Sequence, residues 1–182
     1  MSQTNELEIM ERIALDLEHV EESLASSFNT GAEDFNALIR PLSAAGGKRL
    51  RAQLCLLIAN AGTSIERQRI KIAEAVEMLH LATLIHDDVL DQAEIRRGED
   101  TIHMHKGNKV AILSGDYLFA KAFKIVSEMT NMKYLQVFSH IITCLVEGEF
   151  MQMEDVYRID QGIERYMTKT QKKTADFMEG CM

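Results

Sequence analysis

Tryptophan is absent from this sequence of 182 residues, proline occurs once, and glycine is sparse at ten positions. So few chain-breakers exclude a collagen-like chain or a Pro/Gly-rich disordered one, and favour a mostly helical globular protein. Positive charge is also scarce. Twenty Lys and Arg against 28 Asp and Glu leave a net charge of −8, without the basic face that a nucleic-acid surface needs. The cysteines (Cys55, Cys144 and Cys181) are odd in number, far apart and set among apolar residues. They read as buried thiols, not as disulfides or metal ligands. No apolar run approaches membrane-spanning length and the acidic N-terminus is no signal peptide, so a soluble cytoplasmic protein is expected.

What the sequence does have is helical periodicity. Leu7, Met10, Ile13, Leu17, Val20 and Leu24 form one stripe, and Leu50, Leu54, Leu57, Ile58 and Ala61 another. Between them lie a turn, "NTGAED", and a short segment carrying Phe35, Leu38, Ile39 and Leu42. A longer stripe runs from Ile70 through Ala73, Val76, Leu79 and Leu84 to Ile85. Segment 92–108, with Gly98 and Gly107, reads as a loop. Helices are expected over about 109–129 and 133–153, with another starting near 161. Neither strand alternation nor a repeat is visible. The expected architecture is all-α, with helices around a central one.

The chemistry-bearing residues begin where the central stripe ends, at "HDDVLDQAEIRRG". On a helix Asp87 and Asp91 share a face, with Asp88 offset by about 100°. Like charges one turn apart repel, and a cation between them removes the conflict. Magnesium suits, because it takes one or two carboxylates and completes its shell with water and phosphate oxygens. A solvated acidic helix end remains the alternative. Arg96 and Arg97 supply forked donors for phosphate, although an internal salt-bridge cluster would use the same residues. In "GGKRLR", Gly46 and Gly47 precede a helix start, where outward N–H groups favour anions, and Lys48, Arg49 and Arg51 add charge. Its spacing departs from G-x-x-x-x-G-K-[ST], against a nucleoside triphosphatase. His80 is placed to face the same cavity as Asp87, or to be a satisfied core residue. His103 and His105 lack a third zinc ligand.

Together these segments resemble the trans-isoprenyl diphosphate synthases, particularly the bacterial medium- and long-chain polyprenyl type. The matching pieces, in order, are "GGKRLR" (46–51), "EMLHLATLIHDDVLDQAEIRRG" (77–98), "AILSGDYLFAKAF" (111–123), "EGEFMQ" (147–152) and "KKTADF" (172–177). The resemblance implies an all-α, isoprenoid-synthase-like helical bundle around a central cavity. It implies Mg2+ held by Asp87 and Asp91 with Asp88 assisting, and an allylic diphosphate bound with help from Arg96. Lys48, Arg51, His80 and Arg97 would bind the diphosphate of isopentenyl diphosphate. Lys173 and Thr174 match the family's lysine-threonine step beside the allylic diphosphate, and Gln152 matches a polar position lining the same cavity. Bulky aromatics near Leu79, Ala82 and Thr83 would close the cavity floor. Their absence implies a product longer than farnesyl, in the hexa- to octaprenyl range.

Two local departures stand out. Ala52 follows Arg51 where the family has proline, and Asp100-Thr101 stands where it has Pro-Thr. The family also carries a second aspartate-rich motif downstream of the lysine-threonine step. The helical pattern of Ala175, Met178 and Cys181 is under way at residue 182, so residues 1–182 read as the N-terminal part of a single synthase domain. "DLEHVEESLASSF" (16–28) resembles the start of the catalytic subunit of two-component heptaprenyl or hexaprenyl synthases, which implies a heterodimer with a small accessory partner; a homodimer is the alternative. Two other functions compete: a catalytically incomplete homologue acting as a binding or regulatory subunit, and an unrelated helical interaction module.

Overall fold

The structure, a computed structural model, describes residues 3–28, 33–44, 47–62 and 66–182. The predicted turn at residues 29–32, the side chain of Leu42, and Gly46 lie outside the described residues. The chain divides into two compact units, Met1–Glu128 and Met129–Met182.

In the first unit, α1 (Gln3–Ser27), α2 (Glu33–Ala44), α3 (Leu50–Ala61) and α4 (Glu66–Leu90) are followed by a small hairpin. A short α5 (Ile102–Lys106) and the long α6 (Asn108–Ser127) complete it. Helix α4 is the centre, with α1, α3 and α6 packed on it. Every residue from Ala73 to Leu79 is buried, the pattern of a helix covered on all sides. The first two positions of the α1 stripe, Leu7 and Met10, are instead exposed, and burial begins at Ile13.

That central helix carries two carboxylates into the core, which is costly unless each is fully bonded. Both are. Glu74 accepts from Ser23 at 2.7 Å, Ser27 at 2.6 Å and Lys71 at 2.6 Å. Glu77 accepts from the guanidinium of Arg49 at 3.2 Å and from the Ala52 amide at 3.2 Å. A third buried carboxylate, Asp16 on α1, receives Arg69 of α4 at 2.6 and 3.0 Å. These pairs fix which face of α4 meets α1 and α3.

Segment 92–108 is more ordered than its polar composition predicts. It forms a two-residue antiparallel pair, β1 (Ile95–Arg96) with β2 (Glu99–Asp100), and then α5. The turn residues Arg97 and Gly98 both have positive φ, 54° and 87°, as a type I′ hairpin requires. Periodicity over two-residue strands is too short to register in sequence.

The second unit consists of α7 (Lys133–Glu154), α8 (Ile163–Thr170), a π-helical turn (Gln171–Ala175) and α9 (Asp176–Gly180). Phe138, Ile141, Cys144, Phe177 and Cys181 are buried in it. Asp155, at the end of α7, accepts Arg165 at 2.5 Å and Lys169 at 3.2 Å, tying α8 back to the preceding helix. The three cysteines are free and buried, and burial pushes the Cys55 thiol up to about 12. Among the described residues no helix is long and apolar enough to cross a membrane.

Candidate functional site

Helix α4 ends in a Schellman arrangement. Gln92 takes the left-handed conformation at φ 52°. The Ala93 amide donates to the Asp88 carbonyl at 2.9 Å and the Gln92 amide to Val89 at 3.4 Å. Glycine usually fills the left-handed position, so the stop was not legible from sequence. The Asp91 amide still donates to the Asp87 carbonyl at 2.8 Å, so these two residues stack one turn apart on one face. Asp87 is half-buried and Asp91 exposed. Both lie at the negative end of the helix dipole, where carboxylates are least favoured. Dipole and mutual repulsion therefore both call for a cation there.

Asp88 has a different task. It is buried, and its Oδ1 accepts Nε and Nη2 of Arg96 at 2.7 and 2.6 Å. Burial pushes its carboxyl up, partly offset by that guanidinium. The structure thus makes Asp88 the anchor of Arg96, leaving Asp87 and Asp91 as the outward pair. Among the described residues, no three His, Cys, Asp or Glu side chains gather as a closed metal cage. Two carboxylates on one face nevertheless fit magnesium, which keeps several waters and takes phosphate oxygens.

The glycine-basic segment comes to the same place. A Cβ on Gly47 would lie 3.0 Å from Nη2 of Arg97, so the missing side chain lets the Arg97 guanidinium lie against the backbone. Lys48 and Arg97 are exposed. Arg49 is employed differently: it binds Glu21 at 2.6 Å and Glu77 at 3.2 Å, a structural clamp. The start of α3 is also partly satisfied from within, because Glu77 accepts the Ala52 amide. Proline at this position could not donate that bond, which gives the Ala52 departure a physical consequence.

His80 lies half-buried beside Arg51, with Nε2 3.3 Å from Nη1. Its pKa falls to about 3, first through burial and then through the charges of Arg51, Arg97, Arg96 and Arg49. Segments 47–51, 80 and 96–97 therefore converge in one positive region around a neutral imidazole. Because folding lowers this pKa from 6.5, the unfolded chain binds more protons below that value. The stabilising contribution is complete above about pH 6.5 and is lost as pH falls toward 3. Wild-type protein is expected to lose thermal midpoint more steeply than His80→Gln between about pH 6.5 and 4. Parallel curves would contradict a neutral His80.

A cavity of about 830 Å3 opens on the adjoining face of α4, walled by Leu38, Pro41, Leu81, Leu84 and Ile85 with Asp88, Arg96 and Arg97 among its polar residues. Leu79, Ala82 and Thr83 do not line it. Leu79 and Ala82 are fully buried, and Thr83 donates to the His80 carbonyl at 2.8 Å.

In the second unit the two remaining motif segments bind each other. Lys172 pairs with Glu147 and Lys173 with Glu149. Lys173 also donates to Gln152 Oε1 at 2.9 Å. Gly148 permits the approach: a Cβ there would lie 2.7 Å from Cγ of Lys173. Lys173 and Thr174 fall within the π turn, a distortion that recurs at functional sites. Thr174 is exposed. Sequence reasoning missed Glu77, Glu147 and Glu149. Each is an acidic residue beside an apolar run inside a motif segment, and that was the available signal.

The family model described as polyprenyl synthetase matches residues 32–182. The heptaprenyl diphosphate synthase component 2 of Geobacillus stearothermophilus is 38% identical over 161 residues, covering 88% of this chain and 50% of that protein. The octaprenyl diphosphate synthase of Escherichia coli K12 is 33% identical over 171 residues, covering 94% and 53%. A polyprenyl synthase from Caulobacter crescentus, crystallised with calcium and isoprenyl diphosphate, superposes with a TM-score of 0.90 at 32% identity, covering 95% of this chain and 53% of that one. The chain spans about half the length of the curated relatives it matches.

Proposed function

The chain belongs to the polyprenyl synthetase family of trans-isoprenyl diphosphate synthases, and on that premise we propose that it elongates an allylic diphosphate with isopentenyl diphosphate to a trans-polyprenyl product longer than farnesyl. The observation that carries this reading is the placement of three cations: Arg51 lies against His80, Arg97 against Gly47, and Arg96 on Asp88, the residue after Asp87. Cations for phosphate and carboxylates for a metal from three separate segments occupy one end of α4.

Asp87 and Asp91 hold magnesium in this reading, and Asp88 aims Arg96 at the allylic diphosphate. Bound magnesium would offset the charge that builds on the departing pyrophosphate. Lys48, Arg51 and Arg97 bind the diphosphate of isopentenyl diphosphate. His80, having no proton to give up or take on at neutral pH, accepts from Arg51 and holds its fork. The same reading assigns Lys173, Thr174 and Gln152 to the allylic diphosphate; Leu79, Ala82 and Thr83, which do not line the cavity, would bear on product length only from behind its wall. No side-chain nucleophile is needed: the allylic C–O bond breaks with pyrophosphate leaving, the double bond of isopentenyl diphosphate attacks the resulting cation, and the released pyrophosphate takes the proton that is then lost.

Labelled isopentenyl diphosphate, farnesyl diphosphate and magnesium test this directly. The expected result is magnesium-dependent labelled polyprenyl diphosphate. A second reading, a synthase subunit that binds substrate and serves a partner, is favoured by the likeness to a protein named as a synthase component. It predicts diphosphate binding without elongation until a partner is added.

A further inference from the structure

The residue before Asp87 has no role in the reading above, yet a glycine of the neighbouring helix makes room for its ring. The ring of His86 sits where α4 meets α6: a Cβ on Gly115 would lie 2.2 Å from its Nε2, 2.4 Å from Cδ2 and 2.9 Å from Cε1. Only glycine leaves room for the ring. Nε2 lies 3.1 Å from the Ile112 carbonyl and 3.5 Å from Oδ1 of Asp116. Because a carbonyl can only accept, that nitrogen donates. Phe119 closes the seat, its ring centroid 5.4 Å from that of His86.

A side chain held by a backbone carbonyl and a glycine socket on a neighbouring helix cannot rotate about its own helix axis. Asp87 follows His86 by one residue, and Asp91 follows one turn later. We infer that His86 is a positioning residue: its seat on Gly115 and its bond to Ile112 fix the rotation of the last turn of α4, and so the direction of the Asp87–Asp91 pair. The inference rests on the proposed metal role of that pair. It assigns "AILSGDY", which supplies Ile112, Gly115 and Asp116, a purpose in the site without contact with substrate.

The test uses the full chain with Mn2+ and inorganic pyrophosphate, reading free Mn2+ by electron paramagnetic resonance. His86→Phe keeps an aromatic ring, a larger one, but loses the donor, and is expected to weaken Mn2+ binding about tenfold, as loss of outer-shell support commonly does. His86→Gln, whose amide reaches the same carbonyl, is expected to stay within about twofold of wild type. Gly115→Ala should weaken binding like His86→Phe, and adding His86→Ala should not weaken it further, because both changes break one contact. Equal affinity in wild type, His86→Phe and Gly115→Ala, with loss in Asp87→Asn, overturns the inference but leaves the metal role standing. If Asp87→Asn binds Mn2+ as wild type does, the metal role falls, and amide exchange of Val89, Leu90 and Asp91 decides the positioning. Faster exchange in His86→Phe but not His86→Gln supports it, and unchanged exchange overturns it.

Discussion

Asp87→Ala combined with Asp91→Ala is expected to reduce magnesium-dependent elongation by at least about a hundredfold, the usual scale for removing groups that stabilise charge in a transition state. The two carboxylates share one face of α4 through the Asp91–Asp87 backbone bond, and both the helix dipole and their mutual repulsion disfavour them there. Activity should therefore collapse in a protein that still folds. Asp88→Asn is the informative comparison. Its carboxylate holds Arg96, so this variant should raise the KM for the allylic diphosphate while leaving the magnesium requirement near wild type. A double alanine variant that retains full activity would sink the magnesium assignment.

Glu77→Ala is expected to destabilise the protein by about 3 kcal/mol or more, because a buried ionic network loses one member. Glu77 is 2% exposed, and two groups depend on it: the Arg49 guanidinium and the Ala52 amide. Arg49 keeps Glu21, whereas the Ala52 amide loses its side-chain acceptor. Glu77→Gln retains an oxygen for that amide and removes only the charge, so it should fall between alanine and wild type. Urea unfolding measures the difference. A loss below about 1 kcal/mol for alanine would mean that solvent replaces the network, contrary to its burial.

The sequence was legible where one physical period dominates. Helices α4, α6 and α7 fall where their periodicity places them, whereas α3 buries Ala52, Cys55 and Leu56 and leaves Leu50, Leu57, Ile58 and Ala61 of its expected stripe exposed. Legibility failed where the signal is two or three residues long. Strands β1 and β2 carry no readable alternation, the α4 stop uses Gln92 in place of glycine, and the π turn at Gln171–Ala175 follows an ordinary helical pattern. Buried charge was the other blind spot. Glu74 and Glu77 look like solvent-facing breaks in the α4 stripe, because nothing local marks Ser23, Ser27 or Arg49 as their partners. Those partners lie 25 or more residues away. Arg49 and Asp88, grouped by sequence with phosphate and metal binding, turn out to spend their charge inside the protein.

The hairpin tip sets a conflict between folding and ligand affinity at one position. Arg97 holds φ at 54°, a region where a residue with an ordinary Cβ is disfavoured and asparagine or glycine is at ease. Arg97→Asn should therefore tighten the turn while discarding a cation that lies against Gly47. Screening variants by heat resistance alone would enrich for that change and yield sturdier, poorer binders. The diphosphate that the proposed function places on Arg97 would offset the strain of this spot. A library sorted by diphosphate retention should keep arginine at position 97, and one sorted by melting temperature should drift away from it.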